Sequence, residues 1–451
     1  MTSETSEPPS SDVAARMNAL PLTRLHVLAA MICAVGFGID LAEISLGNAL
    51  SAVFSAAPYR LSPLPLAWIL SGVYVGAVIG APLVARVSER CGLGRALQWL
   101  LLWLAMTSWL VAAGSNAAGL GTFRALSGIA LGAYPPLMIA YLTEIAPPRL
   151  RGRLIFFTCA VAYLAPPIAV LVIRGLTPLT PLGIEGWRWP FIAGGVCALA
   201  AAMGFKLIPE SPRWLLAQRA LTTADAACRK FERSPALHRG AHVHRESPPH
   251  GSMERKPLLP RRHLKRPLPF IASLYVLHPW ATAAFPLLTG PVLLERGLKL
   301  TDTLLLIAMG AVGPAVGTWL GGLWVDRLDR RVTLLGCAAL MLLCVILFFG
   351  AHLSAGLLLA VMLFGVGVAL YTPAMTLYGA ELLPTRSRTR TTANAWAFNR
   401  LAAALVPILL LPLLHAAGPL ALCAIVCAAL TASALLVSLL GPAGATAAAV
   451  Q

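Results

Sequence analysis

Five ionisable residues stand inside long apolar stretches: Asp40, Glu43, Arg124, His278 and Arg400. A charge at the middle of an apolar helix costs about 2.5–3.5 kcal/mol on insertion scales, so each is a functional suspect. A carboxylate beside a guanidinium is the arrangement that exchanges protons. While the guanidinium engages the carboxylate, the negative charge is held; when it withdraws, burial favours uptake of a proton. Asp40 and Arg124 are the pair expected to do this, and a static ion pair is the alternative. Glu43 lies three residues past Asp40 on the same helix face. It is either a second proton site or a contact to a bound solute. Arg400 can receive a carboxylate through two parallel hydrogen bonds, or it can neutralise Asp40 or Glu43. Trp396 precedes it by one turn and can stack on a ring. Asn399, His278, Trp280, Tyr163, Tyr134 and Tyr371 are further candidate pocket groups, each with packing or capping as its alternative.

The elements that must position these groups are membrane helices. The chain has 451 residues, 58% hydrophobic and only 12% charged, about half the charged share of soluble domains. Its mean hydropathy is +0.76. Apolar runs long enough to cross roughly 30 Å of hydrocarbon recur throughout. Six are expected at 25–55, 66–86, 95–114, 118–144, 154–174 and 188–207. Six more fall at 268–294, 303–325, 332–350, 355–382, 391–414 and 418–440. The expected fold class is therefore an all-α membrane protein, with twelve helices in two bundles. Residues 25–208 form the first bundle and 268–441 the second. Residues 1–24 read as a tail, disordered over its first 20 residues, 209–267 as a polar central segment and 442–451 as a second tail. In the central segment, Pro209–Arg233 suits short amphipathic helices, and Ser234–Arg266 reads as flexible.

At about 1.5 Å per residue, Asp40 lies roughly 24 Å beyond Arg24 and Arg124 roughly 30 Å before Glu144, while Arg400 is about 15 Å past Arg390. Lys and Arg cluster on one side of the layout. With the central segment left out, the bias is 14 to 5. Both termini are therefore expected in the cytoplasm. The net charge of +17 is spread over short inter-helix clusters, which argues against a nucleic-acid partner. Nine scattered cysteines imply no disulfide framework. No nucleophile or metal constellation points to an enzyme. The expected surroundings are a lipid bilayer and a small-molecule solute, around a monomer with no cofactor beyond a coupling proton.

The two halves share loop chemistry at a constant offset. Tyr141-x2-Glu144-x2-Pro147-x-Arg149-x-Arg151 pairs with Tyr378-x2-Glu381-x2-Pro384-x-Arg386-x-Arg388, and Glu89-Arg90 pairs with Asp326-Arg327. Both pairings sit 237 residues apart, which an internally duplicated bundle explains. Each half thus supplies acids and arginines at helix ends. Glu89, Arg90, Glu144, Arg151, Glu210, Arg213, Asp326, Arg327, Glu381 and Arg388 are read as an ion network that shuts the inner face. Charges that merely set topology are the alternative.

These motifs resemble the major facilitator superfamily. Gly80…Glu89-Arg90-Cys91-Gly92 and Gly322…Asp326-Arg327…Arg330-Arg331 are similar to its loop motif. In the first copy, Glu89 replaces Asp and Arg95 lies one place late. Arg124-x3-Gly128-x3-Gly132 followed by Tyr141…Arg151-Gly152 resembles the fourth-helix signature of the sugar-porter and metabolite–proton symporter branch. Pro209-Glu210-Ser211-Pro212-Arg213-Trp214 resembles that branch's motif after helix six. The resemblance implies alternating access about a central site, with helices one and four as neighbours. It also implies a proton-coupling Asp at Gly38-Ile39-Asp40, where Ile stands for the usual Tyr. The glutamines that sugar porters place in helices five and seven are absent from 156–167 and 275–280.

The expected function is proton-coupled symport of a small organic solute, an organic acid or related metabolite rather than a hexose, in a bacterial inner membrane. The alternatives are a proton-antiport exporter and, from another class, a transporter-like membrane sensor or scaffold signalling through 209–267.

Overall fold

A computed structural model describes residues 9–177, 179–236, 267–324, 329–351, 353–382 and 385–441. The first half contains α1 (Pro9–Ala19), α2 (Arg24–Ser55), α3 (Pro63–Cys91), α4 (Leu93–Ala113), α5 (Ala117–Leu131), α6 (Tyr134–Ile145), α7 (Arg151–Ala162), α8 (Ala165–Leu176) and α9 (Trp189–Gly204). Two short helices, α10 (Pro212–Ala217) and α11 (Leu221–Arg233), follow. The second half contains α12 (Pro267–Thr282), α13 (Ala284–Glu295), α14 (Leu300–Trp324), α15 (Arg330–Gly350), α16 (Ser354–Glu381) and α17 (Thr385–Leu440).

Among the described residues, eleven helical stretches are long and apolar enough to span a bilayer. The last, Asn394–Leu440, has 47 residues. At about 1.5 Å per residue that is roughly 70 Å, more than twice the hydrocarbon thickness. Gly418 breaks it with φ +75° and ψ 179°, followed by Pro419. The stretch is therefore two crossings, and the total of twelve agrees with the expected fold class. Prolines shape the internal breaks too. Pro135-Pro136 open α6 and Pro166-Pro167 open α8, where the missing N–H groups interrupt the helix ladder. Twelve crossings return the chain, so the start of α2 and the end of α17 share one side, the terminal face.

Small residues let α3 and α5 touch backbone to backbone. A Cβ added to Gly76 would run into the Ala125 carbonyl, and one added to Gly128 into that of Val73. This gives the Gly128 and Gly132 spacing a packing cause. Gly128→Val is expected to abolish the folded-protein peak in fluorescence-detected size-exclusion chromatography; a wild-type elution profile would sink this account.

The halves join unevenly. Toward the face opposite the termini one core runs through both, uniting Leu46, Leu50, Phe54, Val170 and Phe191 with Phe285, Leu288, Phe348 and Leu411. There Ser51 donates to the Leu287 carbonyl at 2.7 Å and Arg174 to that of Thr301 at 3.0 Å. Toward the terminal face the first half keeps its own core, which Ala403 and Ala404 alone join from the second half among the described residues.

The first tail departs from expectation. Residues 9–19 form α1 rather than disordered chain, because Val13 and Met17, one turn apart, bury a common face. Arg16 pairs with Glu232 at 2.8 Å and Asp225 at 2.7 Å on α11. Hydrogen bonds from Arg16 hold both carboxyls below their usual range and push the guanidinium up. The clamp's contribution is thus present above the ordinary carboxylate pKa, about 4, and lost as pH falls through the lowered folded values. Arg16→Ala is expected to raise amide exchange across α1 while leaving that of α2 intact; unchanged exchange in α1 would refute the clamp. The expected amphipathic helices of 209–233 are α10 and α11. The chain beyond Ala236 in the central segment, the 442–451 tail, and Asp326, Arg327 and Pro384 lie outside the described residues.

Candidate functional site

Helix α2 presents Asp40 and Glu43 to the bundle interior, both 2% exposed. Arg124, on α5, is 1% exposed. Its partner is Glu43, with Nη1 3.7 Å from Oε2. Arg124 also donates through Nε to the Ile69 carbonyl at 2.9 Å and through Nη2 to the Glu43 carbonyl at 3.3 Å. Ser108 on α4 donates to Glu43 Oε1 at 2.8 Å. One ion pair thereby ties α2, α3, α4 and α5. Gly47 makes room for it, since a Cβ there would stand 3.3 Å from Arg124 Nη2.

This corrects the expected Asp40–Arg124 pair. Asp40 lies one turn toward the terminal face, and its Oδ1 has no hydrogen-bond partner among the described residues. The cation whose field acts most on Asp40 is Arg400, from the other half. Tyr74 lies within the fields of both Arg400 and Arg124.

Beside this charge cluster is a cavity of about 240 Å³ between the halves. Leu41, Ile44, Ser45 and Asn48 of α2 line one side, with Tyr74 and Tyr163. Thr282, Phe285, Thr289, Ile307, Val361 and Phe364 line the other. Of the aromatic and polar groups proposed from the sequence, Tyr163 lines this cavity. The others occupy different places. Tyr134 fills the groove over Gly36 and donates to the Cys33 carbonyl at 3.3 Å. Trp280 packs against the joined core. His278, Asn399, Tyr371 and Trp396 form a network within the second half. Asn399 Nδ2 lies 3.0 Å from the Tyr275 carbonyl and 3.1 Å from His278 Nδ1; His278 Nε2 lies 2.9 Å from Thr372 Oγ1. Thr372 donates its own proton to Val368, so the network fits a histidine protonated on Nε2. Tyr371 stacks on His278 with centroids 5.9 Å apart, Trp396 meets it edge-on, and the Arg400 guanidinium sits 5.7 Å from the Trp396 ring. Ser45, Asn48, Tyr74 and Ser108 are site residues that sequence reasoning missed. Each is an ordinary helix residue by type, and only its placement distinguishes it.

The terminal-face residues also differ from the expected ion network. Among the described residues, Glu89, Arg90, Glu144, Arg151, Glu210 and Arg213 form no ion pair within 4.0 Å. Glu210 instead accepts from the backbone N–H of Gly94 at 2.8 Å and of Arg95 at 3.2 Å, capping α4, where a helix N-terminus favours negative charge. Gly92, at φ +97°, brings the backbone against that carboxylate. Arg213 donates to the Thr143 carbonyl at 3.3 Å and Asn18 Oδ1 at 2.7 Å, and Arg151 to the Ala146 carbonyl at 3.3 Å. Glu89 receives Gln218 at its backbone carbonyl, and Glu144 lies beside Ser211 and Arg213. The halves join at the opposite face, so arginines here turn to carbonyls of their own half. The side chains of Glu381 and Arg388 lie outside the description.

Comparisons with known proteins agree with this architecture. The chain is 27% identical over 398 residues to an inner membrane metabolite transport protein, YgcS, of Escherichia coli (strain K12), covering 86% of this chain and 85% of that one. It is 31% identical over 209 residues to the arabinose-proton symporter of Bacillus subtilis (strain 168), 44% of each. The partially occluded, inward open structure of the xylose transporter XylE from E. coli superposes with a TM-score of 0.69 at 19% identity, covering 93% of this chain and 98% of that one. A family model covering residues 27–407 matches as well, in keeping with the duplicated loop motifs and the twelve crossings: this chain belongs to the Major Facilitator Superfamily of membrane transporters.

Proposed function

We propose that this transporter moves a small organic solute together with protons, with Asp40 as the proton carrier and the cavity between the halves as the solute site. The observation that carries the reading is the placement of Asp40. It is buried, leaves one carboxylate oxygen without a partner among the described residues, directly precedes the cavity-lining Leu41, and lies in the field of Arg400 from the other half. A rocking motion that changes the Asp40–Arg400 separation changes the stability of the charged carboxylate, which links protonation to access. Arg124 and Glu43 neutralise each other inside one half, a tie that moves as a unit. The arabinose-proton relative supports the same chemistry.

In this reading the terminal face is cytoplasmic, in an inner membrane. The arginine bias and the E. coli relative support that placement. Glu89, Glu144 and their duplicated counterparts pair across the halves when that face closes. Proteoliposomes enclosing a pH-sensitive dye test the coupling. A transported solute acidifies the lumen during symport and alkalinises it during antiport. Labelled solute entering with no pH change would overturn proton coupling.

A further inference from the structure

The cavity has two unlike walls. The first half supplies polar groups that make no side-chain hydrogen bond among the described residues: the Ser45 hydroxyl, the Asn48 amide and the Tyr74 phenol. The second half supplies an apolar wall of Phe285, Phe364, Ile307 and Val361 with their neighbours, in which the Phe285 and Phe364 rings lie 4.5 Å apart at 46°. Its two hydroxyls are already committed. Thr282 donates to the His278 carbonyl and Thr289 to that of Phe285, each at 2.7 Å. No Lys, Arg, His, Asp or Glu is among the described lining residues. Of the nearby cations, Arg124 is paired with Glu43, and Arg400 lies outside the described lining with its guanidinium 5.7 Å from the Trp396 ring.

Two solute classes fit these walls poorly. A carboxylate would be desolvated with no cation to receive it, a cost of several kcal/mol. A hexose would bring hydroxyls on every side, and the side chains of the second half's wall offer them no free donor and only the acceptor lone pairs of Thr282 and Thr289. A solute with a flat apolar body and one neutral polar end satisfies both walls at once: its body against Phe285 and Phe364, its polar end at Asn48 and Tyr74.

We propose that the solute is an uncharged, largely apolar ring compound carrying one hydrogen-bonding group, of the chemical class of aromatic or alicyclic amides and alcohols. The inference rests on the transport reading above and replaces its organic-acid expectation. It is tested by calorimetric titration of the purified full chain in detergent at pH 7. The probes are two matched pairs, benzamide with benzoate and cyclohexanol with cyclohexanecarboxylate, together with glucose and xylose. The expected result is saturable binding of a neutral ring compound at least about 10-fold tighter than its carboxylate partner, with no saturable sugar binding. Asn48→Leu, which keeps the size and removes the amide, is expected to weaken that binding by about 10-fold with the unfolding temperature retained. A carboxylate binding as tightly as its neutral partner, a sugar binding more tightly than either, or no saturable neutral probe would overturn the solute class. Binding is read here with no gradient. Failed proton coupling in transport would therefore leave this order intact, whereas a wrong solute class upsets it whatever the coupling.

Discussion

Asp40→Asn is expected to abolish solute accumulation driven by a pH gradient while leaving solute exchange at equal pH. The amide matches the carboxyl in shape but carries no titratable proton. A gradient of one pH unit is worth about 1.4 kcal/mol, a roughly tenfold accumulation ratio for one coupled proton. The variant should bring that ratio to one. Exchange of labelled for unlabelled solute needs the rocking motion and the cavity but no net proton movement, so it should persist. The contrast separates coupling from folding, because a misfolded protein loses both. Accumulation that survives in Asp40→Asn would remove this residue from the mechanism. Glu43→Gln serves as the comparison. Glu43 already has Arg124 and Ser108 as partners, so the proton-carrying role assigned to Asp40 predicts residual accumulation in this variant.

Arg124→Leu should cause the largest loss of stability among single changes at the site. Removing one partner of a buried pair leaves the other charge uncompensated, which typically costs about 3–5 kcal/mol. Here the loss also strips hydrogen bonds from the carbonyls of Ile69 and Glu43. Adding Glu43→Gln removes the stranded charge, and the double variant should recover much of the lost stability. Thermal unfolding of the four proteins in one detergent closes the cycle. Equal stabilities of Arg124→Leu and the parent would show that the pair does not tie α2 to α5. Additive losses in the double variant would show that the two side chains do not act as a pair.

Much of the architecture was legible in order and composition. Apolar runs bounded by arginines mark the crossings because lipid leaves each helix only its own backbone partners. The 237-residue offset marks the two halves because both bundles descend from one pattern. The same offset does not relate the interior charges, since Leu277 and Val361 stand where Asp40 and Arg124 would repeat. That asymmetry already set the chemical residues apart from the duplicated frame. The disordered tail was misread for a local reason. Val13 and Met17 are too few to announce a helix alone, and α1 is stabilised by α11, some 200 residues away in sequence.

The partner of Arg124 was beyond the sequence. Asp40 and Glu43 differ by about 4.5 Å in height and 60° in direction on one helix, less than the reach of an arginine. The choice depends on how α2 is rotated, on Gly47 leaving room for the guanidinium, and on Ser108 holding the Glu43 carboxylate from a third helix. Cavity polarity has the same origin. Each lining residue is an ordinary member of its own helix, and only the meeting of the two halves sets a polar wall against an apolar one. The sequence alone established which helices exist and which charges they carry into the membrane, because those follow from composition along one chain. Tertiary packing decided which charges meet and what the cavity accepts, because those depend on rotations and contacts between helices far apart in the chain.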